Sequence, residues 1–178
     1  AVMSGKGGVG KSSISANIAW ALAQRDVRVG VLDADIHGPN LPMMLGIEER
    51  RFSGSEHEIE PVEVTPNLLV ASVGNIGYER DAALIWRGPM KLALIKQFLS
   101  DIVWGDLDYL VIDTPPGTGD EALTVGQEIK SLTGIVIVTT PQDVALLDSR
   151  KSVNFAEKLQ IPVIGIVENM ADSDTVKV

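Results

Sequence analysis

The sequence predicts an α/β protein whose mostly parallel sheet is flanked by helices. Short runs rich in Val and Ile recur along the chain, and aromatic residues make up only 4% of it. Segments with helically spaced apolar residues separate these runs. Strands buried on both faces have continuous apolar sequences, and their alternation with helices is typical of βαβ units. The length of 178 residues suits one domain.

The predicted elements follow one another in chain order. Apolar runs predict strands at 27–33, 68–73, 109–113, 135–139 and 161–167. Helical spacing predicts helices at 11–25 and 145–159, and a third after Pro89, where apolar residues recur at positions 92, 95, 99 and 102. Segment 48–66 is polar, acidic and rich in Pro, Gly and Ser, so we expect an exposed insertion there.

Charge and composition argue against several classes of partner. The chain has 24 acidic and 15 basic residues, a net charge of −9, and no dense run of Lys or Arg. We therefore expect neither nucleic acid nor a membrane as a partner, and no apolar run reaches the roughly 18 residues of a membrane span. Cysteine is absent, which excludes disulfides and thiolate metal sites within these residues and favours a cytoplasmic location.

A glycine-rich motif near the start carries the clearest chemical signal. Residues 5–12, with the sequence GKGGVGKS, match G-x-x-x-x-G-K-[ST]. They lie between the first residues, which we expect to be the tail of a strand, and the helix predicted from residue 11. Glycines allow successive backbone N–H groups to face phosphate oxygens, and the helix N-terminus attracts the same anion. Lys11 is then expected at the β- and γ-phosphates, and the Ser12 hydroxyl at Mg²⁺. This context favours an ATP site over a plain glycine turn.

Three aspartates end predicted strands near this motif. Asp113 ends one strand and is expected to hold the Mg²⁺ water shell. Asp33 and Asp35 end another, at the sheet edge where ligands bind in open α/β folds. One of them could orient the attacking water while the other supports magnesium, although turn formation before Gly38 explains them equally well.

Other polar residues give weaker signals. Lys6, the second lysine of the glycine loop, is by pattern alone best interpreted as a solvated charge. His37 and His57 are isolated in the sequence and are interpreted as surface or capping residues. The flexible pair Gly117 and Gly119 suits a switch loop.

Six sequence blocks in order resemble one branch of the P-loop ATPases. The glycine loop resembles the deviant Walker A loop of the MinD/Mrp branch, and the other blocks are similar to the Mrp/ApbC group within it. The similarity extends over residues 2–170, and the blocks are SGKGGVGKS at 4–12, LDADIHGP at 32–39, WRGPMK at 86–91, IDTPPGTGD at 112–120, TTPQDVAL at 139–146 and GIVENM at 165–170.

This resemblance implies a three-layer P-loop NTPase fold and a slow ATPase that carries or assembles iron–sulfur clusters for apoprotein clients. Such proteins form homodimers, or dimers with a close paralogue, around two ATP molecules. The implied catalytic residues are Lys6, which would reach the partner's phosphates, Lys11 and the water-orienting Asp35. Asn169 would recognise adenine. The implied nucleotide site comprises Gly5, Lys6, Gly7, Gly8, Val9, Gly10, Lys11, Ser12, Ser13 and Asn169, and the implied magnesium site Ser12, Asp33 and Asp113.

The resemblance ends abruptly after Met170. In this group the Glu-Asn-Met block continues into a Cys-Pro-x-Cys motif whose thiolates bridge a cluster across the dimer, whereas here Ala171 leads to Asp172. We therefore expect residues 1–178 to be one P-loop ATPase domain that lacks its first residues, its C-terminal metal-binding motif and its last strand.

Other functions remain open on the sequence. They are a MinD- or ParA-like positioning ATPase, an ATP-sensing module without useful turnover and, as a third choice, a small-molecule kinase.

Overall fold

The fold is built around one seven-stranded sheet in the computed structural model, which describes residues 1–55, 58–75, 88–129 and 132–171. The strand order is β5-β6-β2-β7-β1-β8-β9. All neighbouring strands pair in parallel except β5 and β6, which are antiparallel. A separate antiparallel pair is formed by β3 and β4.

The strand bounds are β1 Val2–Met3, β2 Val29–Asp33, β3 Ser53–Ser55, β4 Glu58–Glu60, β5 Val62–Thr65, β6 Leu68–Ser72, β7 Tyr109–Asp113, β8 Ile135–Thr139 and β9 Val163–Glu168. The helices are α1 Lys11–Ala23, α2 Leu41–Met44, α3 Gly88–Asp101, α4 Asp120–Glu128 and α5 Asp143–Lys158, with a 3₁₀ turn at Val73–Asn75. None of the helices within the described ranges is long and apolar enough to cross a membrane.

Alternating strand residues supply apolar contacts to both faces of the sheet. Val29 and Val31 of β2 belong to one buried cluster together with Ala16 and Ala19 of α1. Leu32, the residue after Val31, belongs to a second buried cluster together with residues of α3 and α4. The fold therefore has three layers, because a parallel sheet with two apolar faces needs helices on each.

The predicted fold class is confirmed, and most predicted elements are present with shifts of a few residues. The prediction for segment 48–66 is wrong in part, because β5 lies within it and adds an antiparallel edge strand to the main sheet. Val62 of this strand is buried. Three sequence features lie outside the described residues, namely His57, the Trp86-Arg87 pair and the tail 172–178.

Strand register brings several polar side chains to one edge of the sheet. Asp33 at the end of β2 is in register with Asp113 at the end of β7 and with Ser72 at the end of β6. The glycine loop leaves β1, which pairs with β7 and β8. The loop and the strand-ending carboxylates thus share the carboxyl edge of the sheet, where open α/β folds place their ligands.

Candidate functional site

The glycine loop turns sharply into α1. Gly8 and Gly10 have φ angles of 80° and 87°, which are left-handed values that favour glycine. Gly10 immediately precedes α1 and its carbonyl accepts a hydrogen bond from the Ile14 amide at 3.0 Å. A Cβ on Gly10 would collide with the side-chain amide of Asn169. Both the backbone conformation and this contact therefore require glycine at position 10.

The remaining loop residues form the rim of the site. Gly5 lies against the backbone of Asp148 in α5, so closely that a Cβ would overlap it. Val9 is buried, whereas Gly7 and Gly8 are exposed. Ser12 and Ser13, in the first turn of α1, are half-buried. The predicted phosphate-binding residues thus surround the N-terminus of α1, a position that suits an anion.

Lys11 and Asp113 form a buried ion pair at the base of the loop. The Lys11 Nζ donates to Asp113 Oδ1 at 2.7 Å, and the two side chains are 6% and 0% exposed. Ser15, one turn further along α1, donates its hydroxyl to the same oxygen at 2.8 Å. The other oxygen, Asp113 Oδ2, is buried and has no hydrogen-bond partner among the described residues. An acceptor with an unused buried oxygen suits a cation or its water.

Asp33 is a second fully buried carboxylate beside this pair. Its Oδ2 accepts hydrogen bonds from the Ser72 hydroxyl at 3.0 Å and the Leu41 amide at 3.3 Å, and its Oδ1 accepts from the Asp35 amide at 3.2 Å. Burial, followed by repulsion from Asp113, raises the pKa of Asp33 from 3.8 to about 7. Two adjacent carboxylates and one ammonium leave this site short of positive charge.

The two other catalytic candidates lie on the loops around this centre. The Asp35 carboxylate is 9% exposed, and its Oδ1 accepts the amides of His37 at 3.1 Å and Gly38 at 3.3 Å. The Lys6 ammonium donates to Gln142 Oε1 at 3.1 Å. Asp35 and Lys6 are therefore held by separate contacts and do not belong to the Lys11–Asp113 pair.

Asn169 ties the end of β9 to the glycine loop. Its side-chain Nδ2 donates to the Val9 carbonyl at 2.9 Å, and its backbone N donates to Thr139 at 2.8 Å. Adenine recognition by Asn169 stays a prediction, and the observed contact gives the residue a structural part in supporting the loop.

The residues present fit a magnesium–nucleotide site but not a metal cage. In the described part of the chain, no three His, Asp or Glu side chains gather closely enough to hold a metal ion. Mg²⁺ in nucleotide sites needs only one or two carboxylates, because water and substrate phosphates supply the remaining oxygens. The orphaned Asp113 Oδ2 meets that requirement, and Ser12, which follows Lys11 in the first turn of α1, can add a hydroxyl.

Sequence reasoning missed several residues that the fold adds to the site. Ser15 binds Asp113, Ser72 binds Asp33, and Gln142 binds Lys6. Ser72 is the last polar residue of the predicted strand 68–73, so its place near the end of that strand could have been noted, although its pairing with Asp33 could not. Ser15 lies four residues after Lys11 and thus on the same helix face.

These features together define a P-loop nucleotide-binding domain. A family model described as the NUBPL iron-transfer P-loop NTPase, of the ParA group, matches residues 1–177. The chain therefore belongs to this family, and the family predicted from the sequence blocks is confirmed.

Relatives and solved structures agree with this membership. The chain is 52% identical over 170 residues to an iron–sulfur cluster carrier protein of Methanococcus maripaludis, covering 96% of this chain and 59% of that protein. It is 51% identical over 174 residues to a cytosolic Fe–S cluster assembly factor NUBP2 homologue of Trichoplax adhaerens, covering 96% and 66%. A nucleotide-binding protein from Archaeoglobus fulgidus, solved with ADP and cobalt, is 40% identical with a TM-score of 0.79, covering 99% of this chain and 69% of that one.

We predict that the Asp33→Asn variant will change how stability depends on pH. In the folded protein Asp33 keeps its proton up to pH about 7, whereas the unfolded chain releases it near 3.8. Proton uptake by the folded state makes the free energy of unfolding fall as pH rises through this window. The total fall due to this group is about 4 kcal/mol at 1.36 kcal/mol per pKa unit.

Urea unfolding of the nucleotide-free protein between pH 4 and 8 measures this contribution. The variant's stability relative to wild type should rise with pH, since asparagine does not titrate. The Leu41 amide can lose its acceptor in the variant, which adds an offset that does not depend on pH. A difference between the two proteins that stays constant from pH 4 to 8 contradicts the assignment.

Proposed function

We propose that this domain is the ATP-hydrolysing switch of a dimeric protein that carries or assembles iron–sulfur clusters for apoprotein clients. The observation that carries the proposal is the buried Lys11–Asp113 pair at the base of a glycine loop, beside the second buried carboxylate Asp33. A relative 52% identical to this chain is named an iron–sulfur cluster carrier protein. The chain spans 59% of that relative's length, so the activity of the whole protein belongs to this proposal.

Nucleotide binding begins with an exchange of partners at Lys11. A triphosphate offers the ammonium new anionic acceptors, while the loop amides and the N-terminus of α1 bind the remaining oxygens. Asp113 then becomes available as an acceptor, with Ser15 still donating to its Oδ1. Because Asp113 is 0% exposed, it needs a new cationic partner for this exchange to be favourable.

Ser12 and Asp113, supported by Asp33, are the residues that would hold Mg²⁺, which when bound neutralises the developing charge on the phosphates. Burial and, second to it, repulsion from Asp113 raise the pKa of Asp33 to about 7, and a bound cation would counteract that repulsion. Ser72 and the amides of Leu41 and Asp35 keep the Asp33 carboxyl in place before any cation arrives.

For hydrolysis, Asp35 is assigned to orient the attacking water. Hydrogen bonds from His37 and Gly38 fix its Oδ1 and thereby the plane of the carboxylate. Lys6 is assigned to the phosphates of the partner subunit in the dimer, where it would stabilise transition-state charge in the manner of an arginine finger. Its ammonium contacts Gln142, an exposed neutral acceptor, and such a contact is weak enough to exchange.

The cluster is the cargo of the proposed reaction, and its ligands must come from residues other than these. Such clusters are held by Cys thiolates, and these 178 residues contain none. We place the thiolates in parts of the whole protein outside this chain. A positioning ATPase has less support, because the matching family model describes an iron-transfer protein and the net charge of −9 does not suit a DNA or membrane surface.

The two loop lysines should have separable effects on ATP binding. Lys11→Ala should weaken ATP binding at least roughly 100-fold, because it removes a charged contact worth about 3 kcal/mol. Lys6→Ala, the matched control in the same loop, should bind ATP within about threefold of wild type but lose dimerisation driven by a slowly hydrolysed analogue. Calorimetry and light scattering measure the two properties, after circular dichroism has established that each variant is folded. Wild-type affinity in Lys11→Ala, or normal dimerisation in Lys6→Ala, contradicts the respective assignment.

The two aspartates should also differ in their defects. Asp35→Ala should bind Mg²⁺ and ATP normally, hydrolyse ATP at least about 100-fold more slowly, and accumulate as a nucleotide-trapped dimer, since it loses only the orientation of water. Asp113→Ala should weaken Mg²⁺-dependent binding itself. Single-turnover hydrolysis and calorimetry with and without Mg²⁺ make the comparison. The same defect in both variants would show that the separate roles are wrong.

Cluster carriage should be detectable in the complete protein. Anaerobic reconstitution with iron and sulfide should give a visible charge-transfer band and about four irons per dimer, as a bridging [4Fe–4S] cluster requires. Transfer to an apoprotein should depend on ATP, and the Lys11→Ala variant serves as the control for that dependence. A cysteine-bearing complete protein that retains no iron would leave a switch ATPase and exclude the carrier function.

A further inference from the structure

We infer that His37 is a positioning residue, which couples the carboxylate of Asp35 to helix α4 through its contact with Glu121. The His37 Nε2 lies 3.1 Å from Glu121 Oε1. The inference rests on the proposed function, because the reaction it affects is the ATP hydrolysis assigned to Asp35. From the sequence alone His37 was interpreted as a surface or capping residue, and the fold gives it a contact 84 positions away.

The first half of the connection runs through the backbone after β2. Asp33 Oδ1 accepts the Asp35 amide at 3.2 Å, and Asp35 Oδ1 in turn accepts the His37 amide at 3.1 Å. Asp35 Oδ1 is also bound by the Gly38 amide at 3.3 Å. The position of the Asp35 carboxylate is therefore set by the conformation of residues 37 and 38, and a shift of the His37 backbone moves its donor away from Oδ1.

The second half runs from Glu121 to the glycine loop. Glu121 lies in the first turn of α4, and the preceding loop residue Gly117 donates its amide to the Ser4 carbonyl at 2.8 Å. Ser4 is the residue between β1 and the glycine loop. The sequence predicts a switch loop at Gly117 and Gly119, so Glu121 directly follows the segment that would respond to the nucleotide under the proposed function.

The contact between His37 and Glu121 joins these halves. The ends of β2 and β7 are also joined at the sheet edge, where the Ala34 amide donates to the Asp113 carbonyl. That backbone bond fixes the strand ends but not the side chain of Asp35. His37 is thus suited to make the orientation of Asp35 depend on the position of α4, and so on the nucleotide state.

The chain provides a matched control at the other end of the same helix. Lys96 of α3 pairs with Glu128 of α4 at 2.8 Å, and its side chain is 56% exposed, the same fraction as that of His37. Removing this pair perturbs the packing of α4 to a similar degree without touching the loops of the site. A purely structural effect of His37 on α4 should therefore be reproduced by Lys96→Ala.

The test is a mutant cycle on ATP turnover by the complete protein. His37→Ala and Glu121→Ala should each lower kcat roughly fivefold to tenfold, the change that one such hydrogen bond supports, with KM for ATP unchanged. The double variant should be no slower than either single variant, because both remove the same link. His37→Gln, which can still donate to Glu121, should recover most of the rate, and Lys96→Ala should equal wild type. Normal kcat in His37→Ala, additive losses, or a loss confined to KM would each overturn the inference.

A second measurement separates this inference from the proposed function. The chain has only two histidines, so a His57→Gln background leaves the His37 ring signals alone in the proton NMR spectrum of these residues. Saturation with Mg²⁺ and a slowly hydrolysed ATP analogue should shift these signals, and the shift should be largely lost in Glu121→Ala. Signals that do not move at saturation overturn the inference. If the His37 signals move but the protein with an unchanged His37–Glu121 pair hydrolyses no ATP, the coupling is supported and the proposed hydrolysis is rejected.

Discussion

A buried ammonium–carboxylate pair beside a second buried carboxylate determines how this site is organised. Lys11 pairs with Asp113 at 2.7 Å, and the neighbouring Asp33 is 0% exposed. Removing one partner of such a buried pair typically costs about 3–5 kcal/mol, because the remaining charge is left without compensation. With both carboxylates ionised, the group has a net negative charge in a dry setting. It is therefore ready to take up a proton, which Asp33 does with a pKa raised to about 7, or a cation.

The loops around this group are cross-linked by backbone hydrogen bonds. The Thr114 amide donates to Val2, the Gly117 amide to Ser4, and the Ala34 amide to Asp113. These bonds join the ends of β1, β2 and β7, so the strand ends form a rigid base. The side-chain contacts above this base are more exposed, as between Lys6 and Gln142 and between His37 and Glu121. The site thus combines a base of backbone hydrogen bonds with more exposed side-chain contacts above it, an arrangement that suits the proposed nucleotide-dependent switch.

The sequence predicted the base of the site better than its upper contacts. The glycine motif, the strand-ending Asp33 and Asp113, and the alternation of strands and helices all depend on local patterns, which a single sequence displays directly. The pairing of Ser72 with Asp33 depends on which strands are neighbours in the sheet. The strands β2 and β6 are adjacent there, although 34 residues, including β3, β4 and β5, separate them in the sequence. Such pairings follow from topology and cannot be derived from spacing.

In segment 48–66 the local sequence pattern led to a prediction that is wrong in part. Its acidic, Pro- and Gly-containing sequence predicted an exposed insertion, and Glu63 is indeed exposed. Yet Val62 is buried, and β5 pairs with β6 as an antiparallel edge strand. One face of an edge strand can remain polar, so a short strand with few apolar residues gives almost no periodic signal. Tertiary pairing, not local propensity, makes this segment a strand.

These 178 residues contain no cysteine, so the contacts that connect the glycine loop to the rest of the protein matter as much as the site itself. If the cargo is bound outside these residues, the nucleotide state has to reach it through an element that touches the glycine loop. Asn169 is such an element, since it follows β9 and donates its side-chain amide to Val9 at 2.9 Å while its backbone amide binds Thr139 at 2.8 Å. A Cβ on Gly10 would strike the same amide, so the loop and the end of β9 lie very close together there. A rearrangement of the loop around phosphate would therefore act directly on Asn169, which follows β9 and donates to the loop at Val9.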